Sequence, residues 1–542
     1  MAFSLIWVTG GREKPFSDVS ARVGWIDPHS ELYAKGVRPG DLILAYNGKP
    51  VRSAKDHFYA AMTSGPQLSV EVEKLENTKG EGKRFTADIK PYQHPLALEK
   101  GILTTGILSP ASFLVWNAPK EGALQLHSEA QEKSGILPGD RPMWVDGEPL
   151  FSQMQLSALL NDGCLFVTVR RDGKYINLHI PRIPVGELKL SSDLRGEISD
   201  WQYESGFQSI KTNQLWFLPY NLTSDGTVEG EIPLLDSEAK AKEGQQLLYH
   251  DTLLPHDRIV AVAGQPVSSA AQILTAFQEK HVLVIVDRAP TPKKPIGFKD
   301  ADGLFKAAYQ SAQLTQLVDS IGTPEQMKEN GTFVLLHPIA PKTRDELLEA
   351  SGRKDEVLAM KQEEERFLQA IDDPQMRLQA KENLQLRDRQ LFLGLSGVHD
   401  KVVMYNPDPV SVCTSIGDEI YQTIVALFGG YLSPRWMSGP VGILHVIQQQ
   451  WSIGYKEALF WLGTISLNLA VLNLLPLPVL DGGYILLSVF ELVTGVRLKV
   501  ETVEKIVLPF AILLIILLVY LTYQDLARIF STLFSNLSVW KG

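Results

Sequence analysis

Asp481 is the residue of this chain best placed to do chemistry. It closes the stretch Asn468-Leu-Ala-Val-Leu-Asn473-Leu-Leu-Pro476-Leu-Pro478-Val-Leu-Asp481-Gly482-Gly483, behind an apolar run from Ala458 to Leu480 that carries no charge. About twenty apolar residues suffice to span a bilayer as a helix. Pro476 and Pro478 each lack a backbone N–H and break that helix. Broken backbone at membrane depth persists only where protein or a water-filled cavity covers it, and an ionisable residue there reads as functional. The plainer reading is a membrane helix ending in a Pro-rich turn, with the asparagines as packing glue between helices. A catalytic zinc takes three protein ligands and a water. None of the eleven histidines begins a His-Glu-x-x-His motif, and His445 is the only one in the apolar C-terminal part. Asp481 alone holds no catalytic zinc.

The pattern Asn473-x-x-Pro476-x-Pro478-x-Leu480-Asp481-Gly482 resembles the signature of the site-2 protease family of intramembrane zinc metalloproteases, in its bacterial RseP-type, peptidase M50-like branch. The resemblance implies that Asp481 is the third ligand to Zn2+, supported by Pro476, Pro478 and Gly482. The two histidine ligands and the glutamate general base belong to a His-Glu-x-x-His helix absent from this chain. It further implies that Asn468 and Asn473 engage substrate. A substrate helix must unwind before cleavage, and amide side chains can pair with its freed backbone groups. Trp436-Met-Ser438-Gly439-Pro440-Val441-Gly442 is similar to the Ser-Gly-Pro segment that precedes the aspartate in this family. Met1–Val8 is too short to span and by composition reads as a strand. By resemblance, residues 1–11 are the end of a truncated transmembrane helix, with on the order of 70–100 residues of two further spans outside the sequence.

The elements that must position this site include a repeated module. Gly36-Val-Arg-Pro39-Gly-Asp41 through Asn47-Gly48-Lys-Pro50 recurs as Gly135-Ile-Leu-Pro138-Gly-Asp140 through Asp146-Gly147-Glu-Pro149. A degraded copy runs from Leu254-Pro255-His256-Asp257 to Gly264-Gln-Pro266. Each copy is a turn, a short strand and a hairpin turn, then a helix-like segment and a β-rich run. This order resembles the circularly permuted bacterial PDZ domain, with units expected at 16–92, 95–186 and 196–290. PDZ domains bind extended peptide at a sheet edge; a scaffold without ligand is the alternative. Arg288–Pro295 reads as a linker, and 295–411 as a charged helical insertion.

The apolar end reads as an amphipathic, membrane-associated helix at 412–435, a transmembrane helix at 456–483 carrying the motif, and another at 504–526. The expected fold class is a multi-domain α/β membrane protein: tandem PDZ-like β-rich domains plus a C-terminal α-helical transmembrane core. A net charge of −10 argues against nucleic acid as partner. Two cysteines, Cys164 and Cys413, exclude a disulfide framework and a cysteine zinc site. The resemblance implies a multi-pass protein of the bacterial inner membrane, with periplasmic PDZ domains that gate transmembrane substrates such as anti-sigma factors or signal-peptide remnants. The competing reading is a non-catalytic PDZ scaffold of the same fold.

Overall fold

A computed structural model describes residues 1–75, 82–95, 102–117, 133–235, 250–290, 294–371, 373–395, 397–430, 437–495 and 500–540. Each repeat folds as its turn residues dictate. Gly40, Gly139 and His256, between Pro and Asp, take φ of 92°, 96° and 71°. The third copy thus carries a left-handed residue that is not glycine, a strain of about 1–2 kcal/mol. The pairs Asn47-Gly48, Asp146-Gly147 and Ala263-Gly264 are left-handed at both positions, as a two-residue hairpin that follows the strand twist requires. A serine caps each following helix: Ser53 in a capping box with Asp56, Ser152 on the Gln155 N–H, Ser269 on the Gln272 N–H. The turn aspartates are buried and accept from backbone, Asp41 from Arg38 (2.9 Å), Asp140 from Leu137 (2.8 Å) and Asp257 from Leu254 (2.8 Å).

Helix α1 (Ala2–Val8) and strand β1 (Arg12–Pro15) precede the first module. The module holds β2 (Val23–Ile26), β3 (Leu42–Tyr46), α2 (Ala54–Thr63), β4 (Leu68–Glu73), β5 (Arg84–Ile89) and β6 (Ile107–Pro110). β3, β4 and β5 form an antiparallel sheet, and β2 pairs with β6, which lies beyond the expected boundary at 92. Lys74, at the end of β4, pairs with Asp41 at 3.0 Å.

The second and third repeats interlock. They supply β7 (Arg141–Val145), α3 (Gln153–Asn161), β8 (Cys164–Arg171), β9 (Lys174–Pro181), β10 (Arg258–Val262), α4 (Ala270–Gln278) and β11 (Val284–Asp287). β7 pairs with β11, the strand at the end of the expected third repeat, while β8 pairs with β10. The cations follow the strands: Asp140 takes Arg288 (3.0 Å) and Asp257 takes Arg171 (2.6 Å). Residues 164–278 are therefore threaded between the halves of the second repeat, and the strands pair across the expected limits of 95–186 and 196–290.

The stretch 295–411 is more than a charged insertion. α5 (Phe298–Tyr309) and α6 (Ala312–Ser320) bury Phe305, Leu317 and Ile321 against Met143 and Phe166. Residues Phe333–Leu335 form β12 and extend the sheet beside β11. Only α7 (Lys354–Gln369) and α8 (Pro374–Asp388) match the expected solvated face; Lys361 of α7 pairs with Asp388 of α8 (2.5 Å) and also with Asp345 (2.9 Å) in the first turn of the helix Arg344–Ala350 before them. β13 (Val402–Tyr405) then returns to pair antiparallel with β1.

Beyond β13 the chain is helical: α9 (Pro409–Phe428), α10 (Pro440–Ile453), α11 (Tyr455–Asn473), α12 (Asp481–Thr494) and α13 (Val500–Trp540). Residues 431–436, with which the expected amphipathic helix ends and the Ser-Gly-Pro segment begins, lie outside the described residues. Among the described residues one helix is long and apolar enough to cross a membrane, Val503–Arg528, with mean hydropathy 2.7. The molecule is thus mixed α/β, β-rich in its N-terminal region and helical at its C-terminal end.

His57, on α2, is 6% exposed; its Nδ1 meets the Tyr46 hydroxyl at 2.7 Å, and its Nε2 has no partner among the described residues. Burial lowers its pKa to about 4. Between the unfolded value near 6.5 and that value the unfolded chain binds a proton that the folded one does not, so stability falls as pH drops. The loss is about 3 kcal/mol across this window. Melting temperatures measured from pH 7 to 4.5 are expected to show this slope, and His57→Gln to flatten it.

Candidate metal and substrate site

The apolar run does not form one helix ending in an acid. α11 ends at Asn473, and the backbone of 474–480 turns through short bonds, Leu477 N–H to Leu475 O (2.7 Å) and Leu480 N–H to Leu477 O (2.9 Å). Pro476 and Pro478 cannot continue an α-helical ladder. Asp481, expected at the end of the 456–483 helix, instead occupies the first turn of the next helix, α12. A carboxylate in that position is favoured by the helix dipole. Asp481 is exposed and makes no hydrogen bond or ion pair among the described residues.

Gly482 and Gly483 explain how the loop and α12 fit. Both are buried. A Cβ on Gly482 would sit 2.3 Å from the Leu474 carbonyl oxygen, and one on Gly483 would sit 2.1 Å from that of Leu477. The first turn of α12 therefore nests directly on the proline-broken backbone, which fixes where Asp481 projects.

Asn473 is the last residue of α11, and Asn468 lies five residues earlier, about 140° around the helix. The two amides occupy different faces. The Asn468 Oδ1 is buried and has no hydrogen-bond partner among the described residues. A buried amide oxygen left unpaired is costly, so this atom is positioned to accept from a group that comes from elsewhere.

Charged side chains unrecognised as anchors in the sequence fix α11 and its neighbours. Arg12 pairs with Glu457 at 2.5 Å, both largely buried, and lies 3.3 Å over the Phe460 ring. Lys456 donates to the carbonyls of Thr9 (2.8 Å) and Gly11 (3.0 Å). α1 reaches the same helix through Phe3 and Phe460, 5.4 Å apart. The β1–β13 pair is thereby clamped to the start of the asparagine-bearing helix. On α13, buried Asp525 accepts from the Gly442 N–H (2.7 Å) at the start of α10. A side chain at Gly439 or Gly442 would meet that carboxyl at 2.8 Å, which accounts for the small residues around Pro440. The signal available in sequence was a charge inside an apolar helix.

Asp418 and Glu419 of α9 lie at the edge of the first repeat, with Asp418 largely exposed. Glu419 lies 3.4 Å from Lys55, Asp418 4.0 Å from Arg52, and Thr423 hydrogen-bonds Tyr59 at 3.2 Å. The polar face of α9 thus docks on α2 of the first repeat.

Among the described residues no group of three or more His, Cys, Asp or Glu side chains could hold a metal ion. His445, on α10, is exposed. These residues do not fit a complete zinc site: Asp481 has no histidine partner among the described residues.

Comparisons with known proteins show the family of the chain. The pattern of Peptidase family M50 matches residues 215–518. A relative from Chlamydia pneumoniae that bears the provisional name of a zinc metalloprotease is 38% identical over 533 residues, 98% of this chain and 81% of its own length. A relative from Chlamydia trachomatis with the same provisional name is 34% identical over 97% of this chain and 80% of its own length. The zinc metalloprotease RasP of Shouchella clausii is 32% identical over 145 residues, 26% of this chain and 34% of its own. This chain belongs to Peptidase family M50, the site-2 protease family of zinc metalloproteases.

Proposed function

We propose that the chain forms the aspartate-bearing, substrate-engaging part of a membrane-embedded endopeptidase that cuts transmembrane segments of other membrane proteins. The observation that carries this reading is the nesting of Gly482 and Gly483 on the proline-broken loop, which holds Asp481 at the head of α12 with no partner of its own among the described residues. Asp481 is the third zinc ligand on this reading. The two histidines and the glutamate base are assigned to polypeptide outside these 542 residues, because the sequence contains no His-Glu-x-x-His. Asn468, with its unpaired buried oxygen, and Asn473, at the helix end beside the broken loop, receive the backbone of an unwound substrate. The first repeat and the interlocked second and third act as PDZ-like modules on the periplasmic side of a bacterial inner membrane and restrict which segments reach the site. Substrates of the anti-sigma-factor or signal-peptide-remnant kind fit this role.

The missing motif also favours a second reading, a non-catalytic scaffold of the same fold. Co-expression separates the two. The 542-residue chain is combined with a membrane segment of a family member that carries His-Glu-x-x-His, and cleavage of a reporter transmembrane helix is followed by immunoblot. The protease reading expects no cleavage by the chain alone and cleavage by the pair. An inactive pair that nevertheless co-purifies supports the scaffold.

A further inference from the structure

Where the second and third repeats interlock, a half-open pocket of about 480 Å³ lies between them. Its wall comes from the β7 hairpin (Trp144, Gly147, Glu148), from β8 and β9 (Phe166, Asn177, His179), from His250 and Asp251, and from Val318 of α6. The strand exchange itself builds this space, since β7 and β8 no longer pair with each other. Two carboxylates, Glu148 and Asp251, line it, with no lysine or arginine among the described lining residues. Asp251 is fixed: its Oδ2 accepts from the His179 N–H (2.8 Å), and its own N–H donates to the His179 carbonyl (2.8 Å). The His179 Nε2 faces the Asp146 carbonyl, and a Cβ on Gly147 would lie 2.5 Å from the imidazole, so that ring is wedged in place. The Trp144 and Phe166 rings meet edge to face at 5.5 Å. Glu148 pairs with Val145 through its backbone, while its carboxylate makes no hydrogen bond or ion pair among the described residues. The groups whose charge favours its ionised form are His179, which lines the same pocket, and then Arg38, which is itself held by the carbonyls of Tyr33 and Val37 and lies 3.7 Å over the Tyr33 ring.

Two acids and aromatic walls select for positive charge, because ring faces attract cations and a desolvated carboxylate gains from a counter-charge. A metal ion is a poor fit, as no group of three ligating side chains among the described residues could hold one. The volume falls within the 300–1,000 Å³ typical of small-ligand sites. We infer that this inter-repeat pocket binds an organic cation, a guanidinium or ammonium group, between Glu148 and Asp251. Burial raises the pKa of Glu148, and a bound cation opposes that shift. The inference does not depend on the protease reading.

Ligand-observed NMR on the detergent-solubilised 542-residue chain tests it. N-acetylarginine amide is expected to bind with Kd on the order of 1 mM. Its neutral isostere, N-acetylcitrulline amide, should bind at least about tenfold more weakly, as should the arginine probe on Glu148→Gln, with unchanged melting temperature; tenfold corresponds to about 1.4 kcal/mol. Spermidine and acetyl-Gly-Arg-Gly-amide identify the source. Tighter binding of spermidine marks a free polyamine site, and tighter binding of the peptide marks recognition of a polypeptide side chain; both uphold a cation site. Equal binding of the citrulline probe, indifference to Glu148→Gln, or no binding of any probe at about 10 mM overturns it.

Discussion

Asp481→Ala is expected to abolish proteolysis by the chain when it is combined with the histidine-bearing segment. The loss should be on the order of a thousandfold or more, equivalent to at least about 4 kcal/mol of activation free energy. A zinc ion held by two histidines without its carboxylate loses both affinity and a fixed geometry. Asp481 is exposed and makes no hydrogen bond or ion pair among the described residues, so the variant should lose only its helix-dipole contribution, about 0.3–1 kcal/mol of stability. Loss of turnover with nearly unchanged stability distinguishes a ligand from a structural residue. Asp481→Asn separates charge from shape and is expected to fail nearly as completely, because a neutral amide is a weak zinc ligand. Reporter cleavage at the parental rate by either variant would remove Asp481 from the site.

Gly483→Ala is expected to have the second-largest effect, without touching any ligand. The new methyl would sit 2.1 Å from the Leu477 carbonyl oxygen and 2.7 Å from the Pro478 Cα. These are backbone atoms of a loop fixed by two prolines, so relief requires α12 to move away from the loop. Overpacking of this kind costs about 1–3 kcal/mol, and a misplacement of about 1 Å at a reacting centre costs about a hundredfold in rate. Gly482→Ala should act alike through the Leu474 oxygen at 2.3 Å. An alanine at Gly495, which faces open space at the end of α12, serves as control for this helix although its φ of +68° carries a strain of its own. Single-turnover cleavage by the combined protein checks the contrast; full activity of Gly483→Ala would show that the loop yields.

Much of this organisation was legible in residues. The turns of the three repeats and the hairpin position of the later glycine in each follow from Pro, Gly, Asp and Asn in sequence. The proline break and the acid after it marked the candidate site. The pairing of the second and third repeats was not legible, for a definite reason. The β-rich runs end in Lys74, Arg171 and Arg288, so each offers a turn aspartate the same cation and each alternates in the same way. Periodicity tells which face of a strand is buried, never which strand lies beside it. The placement of Asp481 at the start of α12, rather than at the end of α11, turned on Gly482 and Gly483 fitting against carbonyl oxygens, a contact of shape. The clamps Arg12–Glu457 and Asp525–Gly442 join residues hundreds or dozens of positions apart; the sequence displays the charges and leaves their partners open. α5 and α6 fall in the stretch read as helical, but their packing against Met143 and Phe166 was not legible there, because the charge of the stretch is dominated by the hairpin of α7 and α8.

The zinc content of the purified protein tests the half-site most directly. Metal analysis after dialysis against trace zinc is expected to find far less than one zinc per 542-residue chain. With the His-Glu-x-x-His segment co-purified it should find about one, lost again on Asp481→Ala. Stoichiometric zinc in the 542-residue chain alone, or zinc in the pair that survives Asp481→Ala, would contradict the account.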